Sequence, residues 1–122
     1  MKYTRYYADE SGASRTEDIE VEFLPREFAP PAPPLHLSPI APATGFAFVR
    51  FPAGWVGDWH ATPRRQVFFI LRGELEGETS DGERRRYGPG SAALVEDTTG
   101  MGHRSWVVGG TDVLAAMVQL PD

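Results

Sequence analysis

The chain has no cysteine and a single lysine, Lys2, in 122 residues. Without cysteine there is no disulfide, thiolate metal site, iron–sulfur cluster or cysteine nucleophile. Schiff-base chemistry has only one amine side chain to draw on. An excess of positive charge is lacking too. Twelve Lys plus Arg stand against 17 Asp plus Glu, for a formal charge of −5, which excludes the basic footprint of nucleic-acid or anionic-membrane binding. No apolar run approaches the ~20 residues that span a bilayer, and residues 1–20 are polar, without the apolar core of a secretion signal. These absences predict a soluble cytoplasmic protein with no nucleic-acid and no membrane partner. Dinucleotide-binding, P-loop and Gly-x-Ser-x-Gly patterns are missing, as is any helical periodicity of useful length. Histidine is scarce. His36, His60 and His103 therefore carry most of the acid–base or metal chemistry available near neutral pH.

Proline and glycine are plentiful. Seven of the eleven prolines lie between Pro25 and Pro42, where they forbid helix and central strand. That stretch predicts an extended arm, read either as a stiff connector or as a segment laid over the body or a partner subunit. Ahead of it, Glu17–Leu24 alternates Ile19, Val21 and Phe23 with Glu20 and Glu22, the pattern of a half-buried strand. From Thr44 onward, short apolar runs alternate with Gly and Pro breaks. They predict strands over Thr44–Phe51, Gln66–Leu71, Glu74–Ser80, Glu83–Tyr87, Ala92–Val95, His103–Val108 and Asp112–Leu120. Asp81-Gly82 marks a hairpin turn. One all-β domain follows, with residues 1–42 forming an N-terminal strand and Pro-rich arm and residues 43–122 a sandwich or small barrel.

His60 and His103 both fall at strand margins, where loops open a barrel. Each can be read as a ligand or as a hydrogen-bonded structural residue. Arg64 and Arg65 follow His60 and could meet an anion or simply face water. Arg84-Arg-Arg86, opposite Glu74, Glu76 and Glu78, reads as a cross-strand charge ladder. Trp55, Trp59 and Trp106 could line a pocket or anchor core and interface. Phe46, Phe48, Phe68, Met117 and Gln119 lie on strands whose inward faces could shape a cavity; Gln119 could equally face water. Ser105 shares a strand face with His103, but no acid completes a triad there.

The stretch Gly54–Gly73 resembles the first motif of the cupin family, in which Gly, His, His, Glu and Gly recur at fixed spacing. Here Gly54, His60 and Gly73 keep their places, while Thr62 stands for the second His and Gln66 for the Glu. Gly82–Ser105 is similar to the second motif, with Gly82, Pro89 and Gly90 at its turns and His103 at its histidine. Glu96-Asp97-Thr98 replaces the Pro-Ala-Gly usual before that histidine. The resemblance covers about residues 43–120. It implies a jelly-roll barrel and a pocket holding a small-molecule ligand, with or without a divalent metal; it also implies a homodimer, although a monomer with the arm folded back fits the sequence equally well.

Carried over, the metal positions are His60, Gln66 and His103, suited to Zn, Fe, Ni or Mn. Thr62, Arg64, Glu96 and Gln119 join the expected pocket. Glu96 or Asp97 could restore the missing carboxylate, or could be solvated loop acids. His36 could close over the pocket or lie exposed in the arm. The implied activity is metal-assisted oxygenase, isomerase or lyase chemistry, or else metal-free ligand binding.

Overall fold

Gly and Pro breaks leave no run long enough for a helix, and the computed structural model, which describes residues 1–122, contains none. Its strands are β1 (Lys2–Ala8), β2 (Ser14–Glu20), β3 (Leu24–Arg26), β4 (Leu35–Leu37), β5 (Gly45–Phe51), β6 (Val56–His60), β7 (Gln66–Arg72), β8 (Glu74–Thr79), β9 (Arg84–Tyr87), β10 (Ala92–Val95), β11 (His103–Val108) and β12 (Val113–Gln119). They form a six-stranded sheet, β2-β1-β10-β7-β12-β5, and a four-stranded sheet, β6-β11-β8-β9. The two sheets face each other across a core of Tyr6, Ile70, Leu75, Tyr87, Val95, Val107, Val113 and Ala115. This is the expected jelly roll.

Seven expected strands appear within a residue or two of their predicted ends, because alternation and Gly/Pro breaks report them locally. The β8–β9 hairpin turns through Asp81-Gly82, with Gly82 at φ +87° and its N–H donating to Thr79 O. Its backbone conformation explains why glycine is needed there.

Three features differ from expectation. The strand placed at Glu17–Leu24 is shifted to Ser14–Glu20, because its partner is β1, whose Lys2 pairs with Glu20 at the far end of the register. β1 itself reads as polar sequence. It becomes a strand by pairing in parallel with β10, a contact between residues far apart in the chain. β6 contains Gly57 and Asp58, which argue for a turn, yet it is held as an edge strand against β11. The Pro-rich segment is not laid over the body. Leu24–Arg26 and Leu35–Leu37 pair only with each other, and nearly every residue from Glu22 to Phe48 is exposed.

One close approach sets the geometry at the barrel mouth. Gly102, buried at φ +73°, sits so near His60 that a Cβ there would overlap the His60 carbonyl. Glycine alone lets the β10–β11 loop pass and brings His103 into register opposite His60. Gly102→Ala is therefore expected to cost at least about 2 kcal/mol, read from the urea unfolding midpoint. An unchanged midpoint would show that the approach is not a constraint.

Candidate functional site

The core is not filled. Between the sheets lies a cavity of about 200 Å³. Its walls are apolar: Phe51, Trp55, Phe68, Ile70, Leu75 and Val95. His60, His103, Thr62, Gln66 and Ser105 add polar groups, Glu76 borders it with its carboxylate paired to Arg86, and no lysine or arginine lines it. A cavity of about 150 Å³ accepts benzene, so this one has room for about one substituted ring.

The two histidines are cross-strand neighbours in register, with ring centroids 5.1 Å apart. His60 Nδ1 lies 2.6 Å from the carbonyl oxygen of Asp58. A carbonyl only accepts, so Nδ1 carries the proton and Nε2 keeps its lone pair. His103 Nδ1 lies 2.8 Å from Asp97 Oδ2, which also accepts from Ser14 Oγ at 2.8 Å. The carboxylate fixes the same tautomer on His103. Both rings thus donate through Nδ1, and the neutral form of each keeps Nε2 as an acceptor. Tyr6 packs on the His103 ring at 5.1 Å between centroids.

Asp97 is wholly buried. It is no solvated loop acid: it accepts from His103 Nδ1 and orients that ring. Its Oδ1 has no hydrogen-bond partner. Thr62 and Gln66 are buried and line the cavity as expected. Gln66 Nε2 donates to Thr62 Oγ1 at 3.2 Å, and that hydroxyl donates onward to Arg64 O at 3.0 Å. The hydroxyl is therefore engaged within the chain. Gln66 Oε1 remains free of intramolecular hydrogen bonds.

Three expected pocket residues, Glu96, Arg64 and Gln119, stand elsewhere. Glu96 follows Val95 and takes the opposite face, where Arg5 Nε at 2.6 Å and Arg65 Nε at 2.5 Å donate to it. Arg64 is exposed and outside the cavity lining, its nearest partner being Gln119 Oε1 at 3.4 Å. Gln119, opposite Gln66 at the last rung of β12, is outside the lining too, its Oε1 accepting from Arg64. His36 is exposed in the arm, opposite Pro25, and does not cover the mouth. Phe46 and Phe48 point away from the cavity, since Phe51 takes the inner face and alternation sends them outward.

Of the tryptophans, only Trp55 lines the cavity, packed edge-on against Phe51 at 4.9 Å. Trp59 and Trp106 flank Arg104 on the outer face, at 5.0 and 5.7 Å. Sequence reasoning did not single out Tyr6, Tyr87 or Ser14. Tyr6 and Tyr87 share a hydroxyl–hydroxyl bond of 2.6 Å in the cavity wall. Gly77 makes room for it, since a Cβ there would overlap the Tyr6 hydroxyl. Burial pushes the Tyr6 phenol well above its usual range, with Tyr87 adding to the effect. No local pattern carried this signal, because β1 joins the barrel through remote pairing.

A wider open groove of about 560 Å³ runs between β1 and β9. Arg84, Arg85 and Arg86 line it, but each meets a carboxylate: Glu78, Asp18 and Glu76 respectively. This is the expected charge ladder, already neutralised.

Glu96 supplies a pH test. Burial alone would raise its carboxyl, but hydrogen bonds from Arg5 and Arg65 outweigh it and hold the group below its ordinary value of 4.5. A depressed carboxylate stabilises the fold above its unfolded value and loses that contribution as pH falls through the folded one. Stability is expected to decline as pH drops below about 4.5, and Glu96→Gln to flatten that decline, read as urea midpoint against pH. An identical acid limb in the variant would contradict the assignment.

Residues 47–118 match the family model described as "Cupin domain". No curated protein matches the chain. Among solved structures, the chain is similar to a cupin domain from Bordetella pertussis Tohama I, with TM-score 0.51 and 16% identity over 85% of this chain and 98% of that one. It is also similar to the Schizosaccharomyces pombe Cnp3 cupin domain, with TM-score 0.50 and 14% identity over 98% and 88%. KdgF from Halomonas sp. shows TM-score 0.49 and 21% identity over 83% and 95%. Identities this low speak to the fold alone. With the family model spanning more than half of the residues, the chain belongs to the cupin family.

Proposed function

We propose that the barrel binds one small, neutral organic molecule against the Nε2 atoms of His60 and His103. The carrying observation is that both imidazoles are anchored through Nδ1, leaving two acceptors beside an apolar cavity. Such a site favours a ring that donates hydrogen bonds, a phenol or cyclic diol, for example. An anionic ligand would find no lysine or arginine in the cavity wall to meet it. Aromatic walls from Phe51, Trp55 and Phe68 would hold the ring, and Asp97 would keep His103 oriented toward it.

A divalent metal ion fits the same reading. His60 Nε2, His103 Nε2 and Gln66 Oε1 would hold Zn, Fe, Ni or Mn, and a bound ion would polarise an oxygen of the ligand. No third His, Cys, Asp or Glu joins the pair. Affinity would therefore rest on two nitrogens and one neutral oxygen, without a compensating negative charge. The alternative is metal-free ligand binding, with the histidines as hydrogen-bonding groups; the engaged Asp97 carboxylate favours it.

Two titrations test the proposal. In thermal-shift and calorimetric screening, neutral phenols and cyclic diols are expected to bind at least tenfold more tightly than their carboxylated analogues, and His103→Ala to remove that binding. A preference for the carboxylated analogues, or binding untouched by His103→Ala, would overturn it. For the ion, calorimetry with Zn²⁺ alone is expected to give weak binding that Gln66→Glu tightens at least tenfold. No change in Gln66→Glu would remove Gln66 from the metal set.

A further inference from the structure

The cavity holds a polar position beyond the histidines. Cross-strand partners share a face, so the inner face of the four-stranded sheet is built in rows. The row at the mouth holds His60, His103 and Thr79. The next row holds Gly57, Ser105 and Gly77: Ser105 of β11 pairs with Gly57 of β6 on one side and with Gly77 of β8 on the other. A register shift in β6 places Gly57, rather than Asp58, opposite Ser105, as a bulge does. The places of the two missing side chains are taken from elsewhere. A Cβ on Gly57 would lie 2.4 Å from the Trp55 indole, and one on Gly77 would lie 2.3 Å from the Tyr6 hydroxyl. Ser105 is thus flanked by an indole and by a phenol oxygen that Tyr87 holds at 2.6 Å. It is the one residue of its row with a side chain, and it lines the cavity together with Trp55, Tyr6 and Tyr87.

The Ser105 hydroxyl is uncommitted. Thr62 Oγ1 donates to Arg64 O and Ser14 Oγ to Asp97 Oδ2, whereas Ser105 Oγ donates to no atom of the chain. An apolar ligand group pressed against it would strip water from an O–H and give nothing back, which weakens binding. A carbonyl oxygen takes that proton and brings no donor of its own to be satisfied. The spacing suits a single ring. Ser105 stands two residues from His103 on one strand face, about 6.6 Å away at roughly 3.3 Å per residue. A ring that carries a hydroxyl at one end and a carbonyl at the other covers that length, and the cavity of about 200 Å³ holds it.

We propose that Ser105 is a specificity-determining residue whose hydroxyl donates to a carbonyl oxygen at the far end of the ligand ring. The ligand class is then the hydroxyaryl ketones, with the phenol toward the imidazoles and the carbonyl toward Ser105. The inference rests on the reading that a hydrogen-bond-donating ring binds at His60 and His103, and it adds what is recognised at the opposite end.

Calorimetric titration of the full chain near neutral pH, with 4-hydroxyacetophenone and with 4-ethylphenol, tests it. The two probes share the phenol and the length, and differ in the carbonyl. The parent protein is expected to bind the ketone at least fivefold more tightly, and Ser105→Ala to shrink that ratio at least fivefold, the scale of one hydrogen bond. The ratio within one protein cancels any general loosening of the cavity. The carbonyl also makes the phenol a stronger donor at the histidine end, but that contribution persists in Ser105→Ala, so the variant isolates the serine. Ser105→Cys, close in shape and a weak donor, takes its place if Ser105→Ala does not fold, with the same expected direction. A parent without the preference, or a preference that survives the substitution, would overturn the proposal and leave phenol binding at the histidines standing. Failure of both probes to bind would remove that underlying reading, and this inference with it.

Discussion

The barrel mouth depends on one buried residue, Asp97. Its Oδ2 accepts from Ser14 Oγ and His103 Nδ1, and its backbone oxygen accepts from the Thr62 N–H at 3.0 Å. Three segments remote in sequence are thereby tied together: the start of β2, the loop after β6 and the start of β11. A carboxylate withdrawn from water is costly unless its oxygens are bonded. Here the bonds that offset the cost also fix an imidazole. One oxygen, Oδ1, is left without a partner, so the arrangement is not the cheapest way to fill the space. It is a way to hold His103 in one tautomer.

Seen from the cavity, the consequence is a matched pair. A backbone carbonyl does for His60 what Asp97 does for His103. Loss of the usual second histidine and glutamate at Thr62 and Gln66 leaves the pair in place and alters what surrounds it. The hydroxyl and amide bond each other instead of offering charge. A site with two lone pairs, one free amide oxygen and aromatic walls is suited to recognising hydrogen-bond donors. Under the proposed reading its grip on a cation would be weaker than that of three imidazoles and a carboxylate, because the cation's charge would go unmatched.

Much of this was legible in sequence where the signal was local. Strand alternation and Gly/Pro breaks located most of the barrel, and the resemblance of Gly54–Gly73 to the first cupin motif implied the pocket that holds His60, Thr62 and Gln66. Adjacent residues of opposite fate were not legible. Glu96 and Asp97 are neighbours, both acidic, and one meets two arginines outside while the other is sealed inside. Only the phase of the chain leaving β10 decides between them. β1 was hidden because its pairing with β10 is parallel and remote. The outward facing of Phe46 and Phe48 was not legible either, because hydrophobicity reports burial without saying on which side.

The central claim is that both imidazoles present Nε2 as an acceptor. Long-range ¹H–¹⁵N correlation spectroscopy of uniformly labelled protein reads the tautomer of each ring directly. The account expects protonated Nδ1 and unprotonated Nε2 at both His60 and His103, with Asp97→Ala releasing His103 alone into a tautomer mixture. A protonated Nε2 with bare Nδ1 at either histidine of the parent protein would contradict it.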